Sequence, residues 1–165
     1  MSDELPLDSD VEVDDVTATH PPRPVHLRPG YLGLVLLGGA LGTGAREALS
    51  LLIPAIGAFP LAILVINLTG AFALGIALEL LLRLGPDEGR RRRLRLFVGT
   101  GFMGGYTTYS TLAVGTAQAL IGGGIAIGIV YGLISVVAGT AAAFAGVALA
   151  AEVHRRRTAT AGGRR

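Results

Sequence analysis

The sequence has no cysteine, no tryptophan and no lysine. Without cysteine it has no disulfide framework, no thiol nucleophile and no thiolate metal site. Its three histidines, His20, His26 and His154, lie outside the apolar segments, which argues against a histidine-based active site or metal site. Aromatic residues make up only 5% of the chain, too few for the stacking surfaces that bind large organic cations. No phosphate-binding loop and no nucleophile–base set is present, so neither an enzyme nor an ATP-driven pump is indicated. What the sequence does have is apolar mass. Hydrophobic residues form 51% of the 165, and glycine supplies 25. Mean hydropathy is +0.59. Glycine-rich apolar sequence makes a poor water-soluble core but is common where membrane helices pack closely.

Residues 1–29 differ from the rest. They carry Asp3, Glu4, Asp8, Asp10, Glu12, Asp14 and Asp15, followed by Pro21, Pro22 and Pro24. A secretory signal needs a basic start and an apolar run, and this stretch has neither. Its composition is that of a disordered, cytosolic tail.

A hydrocarbon core about 30 Å thick needs roughly 20 apolar residues of helix. Four such stretches follow, at residues 31–53, 59–82, 94–120 and 125–153. They predict an all-α membrane domain over 30–154, with a basic tail at 155–165. The links at 54–58 and 121–124 carry no charge, whereas the middle link holds Arg90, Arg91, Arg92, Arg93 and Arg95. Arg23 and Arg28 precede the first span; Arg155, Arg156, Arg157, Arg164 and Arg165 follow the last. Only four spans with both termini on one side bring these clusters together, and the positive-inside rule makes that side the cytoplasm.

Polar groups at the membrane midplane are costly unless they have a purpose. Asn67 lies well inside the second span; its amide either bonds to another helix or offers N–H donors to something passing. The third span reads Gly99 to Thr111 as Gly-Thr-Gly-Phe-Met-Gly-Gly-Tyr-Thr-Thr-Tyr-Ser-Thr. Adjacent Gly104 and Gly105 predict a break there, because glycine weakens a helix. Carbonyls freed by such a break are ligands for a hard cation, and the hydroxyls beyond it can line an ion path. A plain packing face is the alternative. Gly38, Gly39 and Gly42, and likewise Gly124, Gly128, Gly132, Gly139 and Gly146, read as close-packing surfaces. Arg46, several residues inside the first span, either draws an anion into a vestibule, pairs with Glu47, or snorkels. Glu79 is expected at the cytoplasmic interface.

Three motifs stand in order: Gly38-Gly39-Ala40-Leu41-Gly42-Thr43-Gly44-Ala45-Arg46, Asn67-Leu68-Thr69-Gly70-Ala71-Phe72-Ala73-Leu74-Gly75, and Gly101-Phe102-Met103-Gly104-Gly105-Tyr106-Thr107-Thr108-Tyr109-Ser110-Thr111. Together they resemble the CrcB/Fluc fluoride-channel family, over roughly residues 30–154. The resemblance implies a dimer of two inverted four-helix subunits with two narrow anion pores, exporting fluoride passively across the cell membrane. It implies a structural sodium ion held by backbone carbonyls, here those of Gly104 and Thr107. It places Asn67 in the pore, with Ser110 and Thr111 as further donors. Two phenylalanines border the family's pore, and Tyr109 and Leu112 occupy their positions. Tyr109 keeps an electropositive ring edge; Leu112 is a departure.

Subunits that form antiparallel homodimers must insert both ways, so their loops should carry little charge bias. The heavy bias here predicts pairing with a separate, oppositely oriented homologue. A small four-helix multidrug or proton-coupled exporter is the alternative function. It would need an acidic residue deep in the first helix, and Glu47 lies near the membrane edge. A membrane assembly subunit, the third reading, would have no use for the Gly104–Gly105 break beside Asn67.

Overall fold

The computed structural model describes residues 28–54, 59–85, 87–122 and 124–162, and every regular element over three residues long is helical. The acidic stretch of residues 1–27 and the last three residues lie outside the described residues, and the expectations for them lie there too.

Helix α1 spans Pro29–Leu52. Proline stands at its first position, where no intrahelical N–H is needed. Ile53 is extended and Pro54 follows, which ends it. Helix α2 (Leu61–Arg83) starts directly after Pro60 and stops before Gly85, whose φ of 106° only glycine adopts readily. Helix α6 runs over Ile125–Gly162, so residues 155–162 of the basic tail continue the last helix. Its 38 residues correspond to about 57 Å at about 1.5 Å per residue, well beyond a bilayer core of about 30 Å. In the extension Glu152 accepts hydrogen bonds from both Arg155 and Arg156.

Helices α1, α2 and α6 are long and apolar enough to cross a membrane. The region expected as a third such helix is instead a succession of pieces. These are α3 (Gly89–Leu94), a π-helical segment (Arg95–Met103), α4 (Gly104–Tyr106) and α5 (Tyr109–Ile121). The interruption lies at Thr107 and Thr108, both extended (ψ 158° and 117°), and not at Gly104–Gly105 as expected. Gly104 is helical (φ −63°, ψ −36°), and the helix runs through both glycines. Their purpose is contact. A methyl group on Gly105 would collide with the Gly39 carbonyl of α1, so the missing side chain allows close approach and does not cause unwinding.

The same device joins the other helices. Gly38 and Gly42 of α1 lie against the backbone of Phe97, Gly101, Phe102 and Tyr106. Gly75 of α2 faces Ala143 of α6, and Gly146 of α6 faces Phe72 of α2. Gly128 packs on Leu120 and Thr116 of α5, whereas Gly139 has nothing near it. Among the described residues the fully buried large side chains are Tyr131 and Ile66. Outward-facing Leu51 and Phe144 are 80% and 70% exposed, a surface suited to lipid rather than water.

Candidate functional site

The site is built where α2 crosses the interruption between α4 and α5. Thr108 cannot continue the helix ladder, because its extended backbone turns both polar groups sideways. Asn67 of α2 meets both of them. The Thr108 N–H donates to Asn67 Oδ1 at 2.9 Å, and Asn67 Nδ2 donates to the Thr108 carbonyl at 3.0 Å. A side-chain amide thus pairs with a peptide as one strand pairs with another. The first of the two possibilities open for Asn67, a bond to another helix, is what the structure shows. One of its two Nδ2 hydrogens remains over.

Diverting the Thr108 N–H removes the donor that helical geometry would have given the Gly104 carbonyl. Thr107 closes the preceding turn, its N–H and its hydroxyl both donating to the Met103 carbonyl at 2.9 and 2.8 Å. Its methyl group and the Tyr106 ring cover Gly70, where a larger residue would push them away. Tyr106 is fixed further by Phe102, stacked at 6.1 Å, and by Thr69, whose hydroxyl lies 2.9 Å from the phenol oxygen.

On the far side of the interruption Thr108 caps α5. Its Oγ1 accepts from the Thr111 N–H at 3.2 Å, satisfying one orphan donor of the first turn. The same oxygen lies 3.1 Å from Ser110 Oγ and donates to Thr111 Oγ1 at 3.1 Å. Three hydroxyls therefore cluster at the N-terminus of a 13-residue helix, where the helix dipole is positive. Thr108 is buried; Ser110 and Thr111 are open. Because Thr111 accepts from Thr108, its own proton is left for another acceptor.

Asn67, Thr107, Ser110 and Thr111 are thus brought together, with Gly104 one turn before them. Tyr109 is not among them: its side chain is 82% exposed on the subunit surface. Leu112 is half-buried, its carbonyl accepting from Thr116 Oγ1 at 2.9 Å. Thr43 of α1 donates to the Gly105 carbonyl at 3.4 Å, and Arg46 is one helical turn further along the same helix. Among the described residues Arg46 has no ion pair with Glu47. Glu79 is held by Arg83, whose Nε donates at 2.6 Å.

Sequence reasoning passed over Thr108, the residue on which the arrangement turns. Its one signal was its type, since threonine is a favoured N-cap.

A family model described as CrcB-like protein, Camphor Resistance (CrcB), matches residues 33–147. The chain is 47% identical over 138 residues to the fluoride-specific ion channel FluC 2 of Leifsonia xyli subsp. xyli, covering 84% of this chain and 95% of that one. It is 47% identical over 122 residues to the fluoride-specific ion channel FluC 1 of Cutibacterium acnes, covering 73% and 85%. It is 36% identical over 114 residues to the fluoride-specific ion channel FluC of Ruminiclostridium cellulolyticum, covering 68% and 82%.

Proposed function

The chain belongs to the CrcB-like family, and on that premise we propose that it is a fluoride-selective channel, not an enzyme, letting fluoride leave the cell passively. The observation that carries this reading is the interruption pinned by Asn67, with hydroxyls and a positive helix end gathered at its mouth. Fluoride is small, strongly hydrated and a strong hydrogen-bond acceptor. A selective path must replace its water with donors held in place beforehand. The remaining Asn67 N–H, the Thr111 hydroxyl and the first amides of α5 are such donors, and the Ser110 hydroxyl joins them when its proton turns from Thr108 Oγ1 to the ion. None carries full charge, so an anion is held firmly enough to enter and weakly enough to leave. A negative membrane potential then drives it outward.

In this reading α3 to α5 together make one interrupted crossing, giving four crossings with the arginine clusters on the cytoplasmic side. The working unit is an inverted dimer. Gly104 has nothing within 4 Å of its would-be side chain, so its surface is open to a second subunit. The Gly104 and Thr107 carbonyls suit a hard cation: one has lost its helical donor, and the other belongs to an extended residue. They would hold a structural sodium ion, which supplies positive charge at the subunit junction when bound. Arg46, lacking a partner among the described residues, would attract anions into the outer vestibule.

Tyr109 projects from the subunit, so its ring serves a pore only if a second subunit closes around it. Tyr109→Ala is expected to lower fluoride efflux from reconstituted liposomes about tenfold through the pore it borders, an energetic loss of about 1.4 kcal/mol, the order of an aromatic contact. The melting temperature of the separate subunit should not change, since there the ring is exposed and contributes little to the fold. Undiminished efflux would remove Tyr109 from the path.

The charge bias of the loops favours an oppositely oriented homologue as partner. Reconstituted alone, the chain is expected to give no fluoride efflux measurable with a fluoride electrode. Co-expressed with such a homologue it should give efflux selective over chloride. Selective efflux from the chain alone would refute the heteromeric assembly and leave the channel reading intact. No fluoride efflux from either preparation would refute the channel itself.

A further inference from the structure

The arginine-rich turn between α2 and the π-helical segment does more than mark one side of the membrane. Its five arginines fall into two groups. Arg92 and Arg95 converge on Asp87: Arg95 Nε donates to Asp87 Oδ2 at 2.9 Å, and Arg92 Nε donates to the Asp87 carbonyl at 2.8 Å. Arg92 is buried in doing so. These two build the turn. Arg90, Arg91 and Arg93 have no carboxylate partner among the described residues.

Those three line a cavity of about 650 Å³ whose remaining walls are the apolar side chains of Leu34, Leu84, Leu94 and Phe97. A second cavity of about 390 Å³, bordered by Tyr31, shares Leu34 and Arg93 with the first. The two therefore adjoin at the arginine-bearing end of α1, the larger a groove with Leu34 and Arg93 on its side toward the smaller. A topology signal alone requires positive charge near a helix end. It does not require a concave site, nor an apolar floor beneath the guanidinium groups. Planar guanidinium groups match phosphate oxygens in pairs, and basic pockets between membrane helices suit anionic headgroups.

We propose that this groove binds one anionic phospholipid, its phosphate held by Arg90, Arg91 and Arg93 and its glycerol and upper acyl carbons lying on Leu34, Leu94 and Phe97. The lipid would then brace α1 against the α3–π segment at the membrane edge, on the opposite side of the close Gly38 contact from the ion path. A free inorganic phosphate would satisfy the arginines but would leave the apolar floor unused, so the lipid is favoured. The inference needs only that this end of the bundle meets the membrane surface, not that the channel conducts fluoride.

The test is a set of thermal melts of the full chain, purified in neutral detergent in whatever assembly it forms. Phosphatidylglycerol, phosphatidylcholine and inorganic phosphate are added at equal concentration. Phosphatidylglycerol is expected to raise Tm by several degrees, as a ligand well above its Kd does. The other two should give less than a third of that shift. Arg93→Gln should halve the phosphatidylglycerol shift, and the triple variant Arg90→Gln/Arg91→Gln/Arg93→Gln should abolish it. Arg155→Gln/Arg156→Gln/Arg157→Gln, which removes the same three charges from the exposed end of α6, should keep the full shift. The single variant retains four arginines in the turn, so a failure of the triple variant to insert does not leave the proposal untested. An equal shift from inorganic phosphate, no shift from phosphatidylglycerol, or an undiminished shift in Arg93→Gln would overturn it.

Discussion

Asn67→Asp is expected to silence the pore that this subunit lines, with a loss of about 100-fold in fluoride flux through it. The substitution exchanges one nitrogen for oxygen and hardly changes shape, so the effect is electrical. In the native pair Nδ2 donates to the Thr108 carbonyl at 3.0 Å. An aspartate oxygen there faces another oxygen, and the peptide of Thr108 loses half of its pairing. Leaving a buried carbonyl without its donor costs about 1–3 kcal/mol. The larger effect falls on the permeating ion. Two unit negative charges about 5 Å apart, at an effective dielectric constant of about 20, repel by about 3 kcal/mol. That is about two powers of ten in occupancy. In an assembly with two pores, of which the partner's retains its own donors, total efflux should fall to about half. Liposome efflux measured with a fluoride electrode reads this directly. Full efflux from a correctly assembled Asn67→Asp protein would place Asn67 outside the ion path and leave it as a brace for the interrupted helix.

That brace is what the sequence conceals. The ends of α1 and α2 follow from local chemistry. Pro29, Pro54 and Pro60 stand at or just beyond helix ends, and the apolar runs between them have the length of a membrane crossing. The spans expected at 31–53 and 59–82 therefore match α1 and α2 within two residues. The interruption was foreseen, but three residues early. Glycine's intrinsic weakness as a helix former points to Gly104–Gly105, and tertiary contact outweighs it. Packing against Gly39 keeps those glycines helical, and pairing with Asn67, 41 residues away in sequence, stabilises the extended form of Thr108. No local pattern announces a pair that far apart. Threonine is a favoured N-cap, but Thr107 and Ser110 are cap types as well, so residue type alone did not single out Thr108 as the start of α5. The lone amide of Asn67 suggested a polar role in the membrane, but its partner became visible only when α2 and α5 lay together.

The glycines of α1 set the second large effect. Gly42→Ala is expected to prevent α1 from docking, whereas Gly44→Ala two residues later should leave the fold intact or slightly firmer. The chemistry of the two substitutions is the same, and the surroundings differ. A methyl group on Gly42 would overlap the carbonyl of Phe102 and lie 2.9 Å from the Tyr106 nitrogen. Both are backbone atoms, which cannot turn aside as a side chain can. One on Gly44 meets nothing within 4 Å. Overpacking a tight contact costs about 1–3 kcal/mol, occasionally more, and here relief requires moving α1 away from the whole π–α4 segment. Replacing glycine by alanine in an open helical position instead gains up to about 1 kcal/mol from helix propensity. The two Tm values in detergent should therefore move in opposite directions, Gly42→Ala falling by several degrees or failing to purify as a folded species. Fluoride efflux should follow the same order, because Thr43, between them, holds the Gly105 carbonyl beside the interruption. Equal Tm values for the two variants would mean that α1 stands off from the π–α4 segment. The close approach of Gly39 to Gly105 would then no longer explain why the helix remains intact through Gly104 and Gly105.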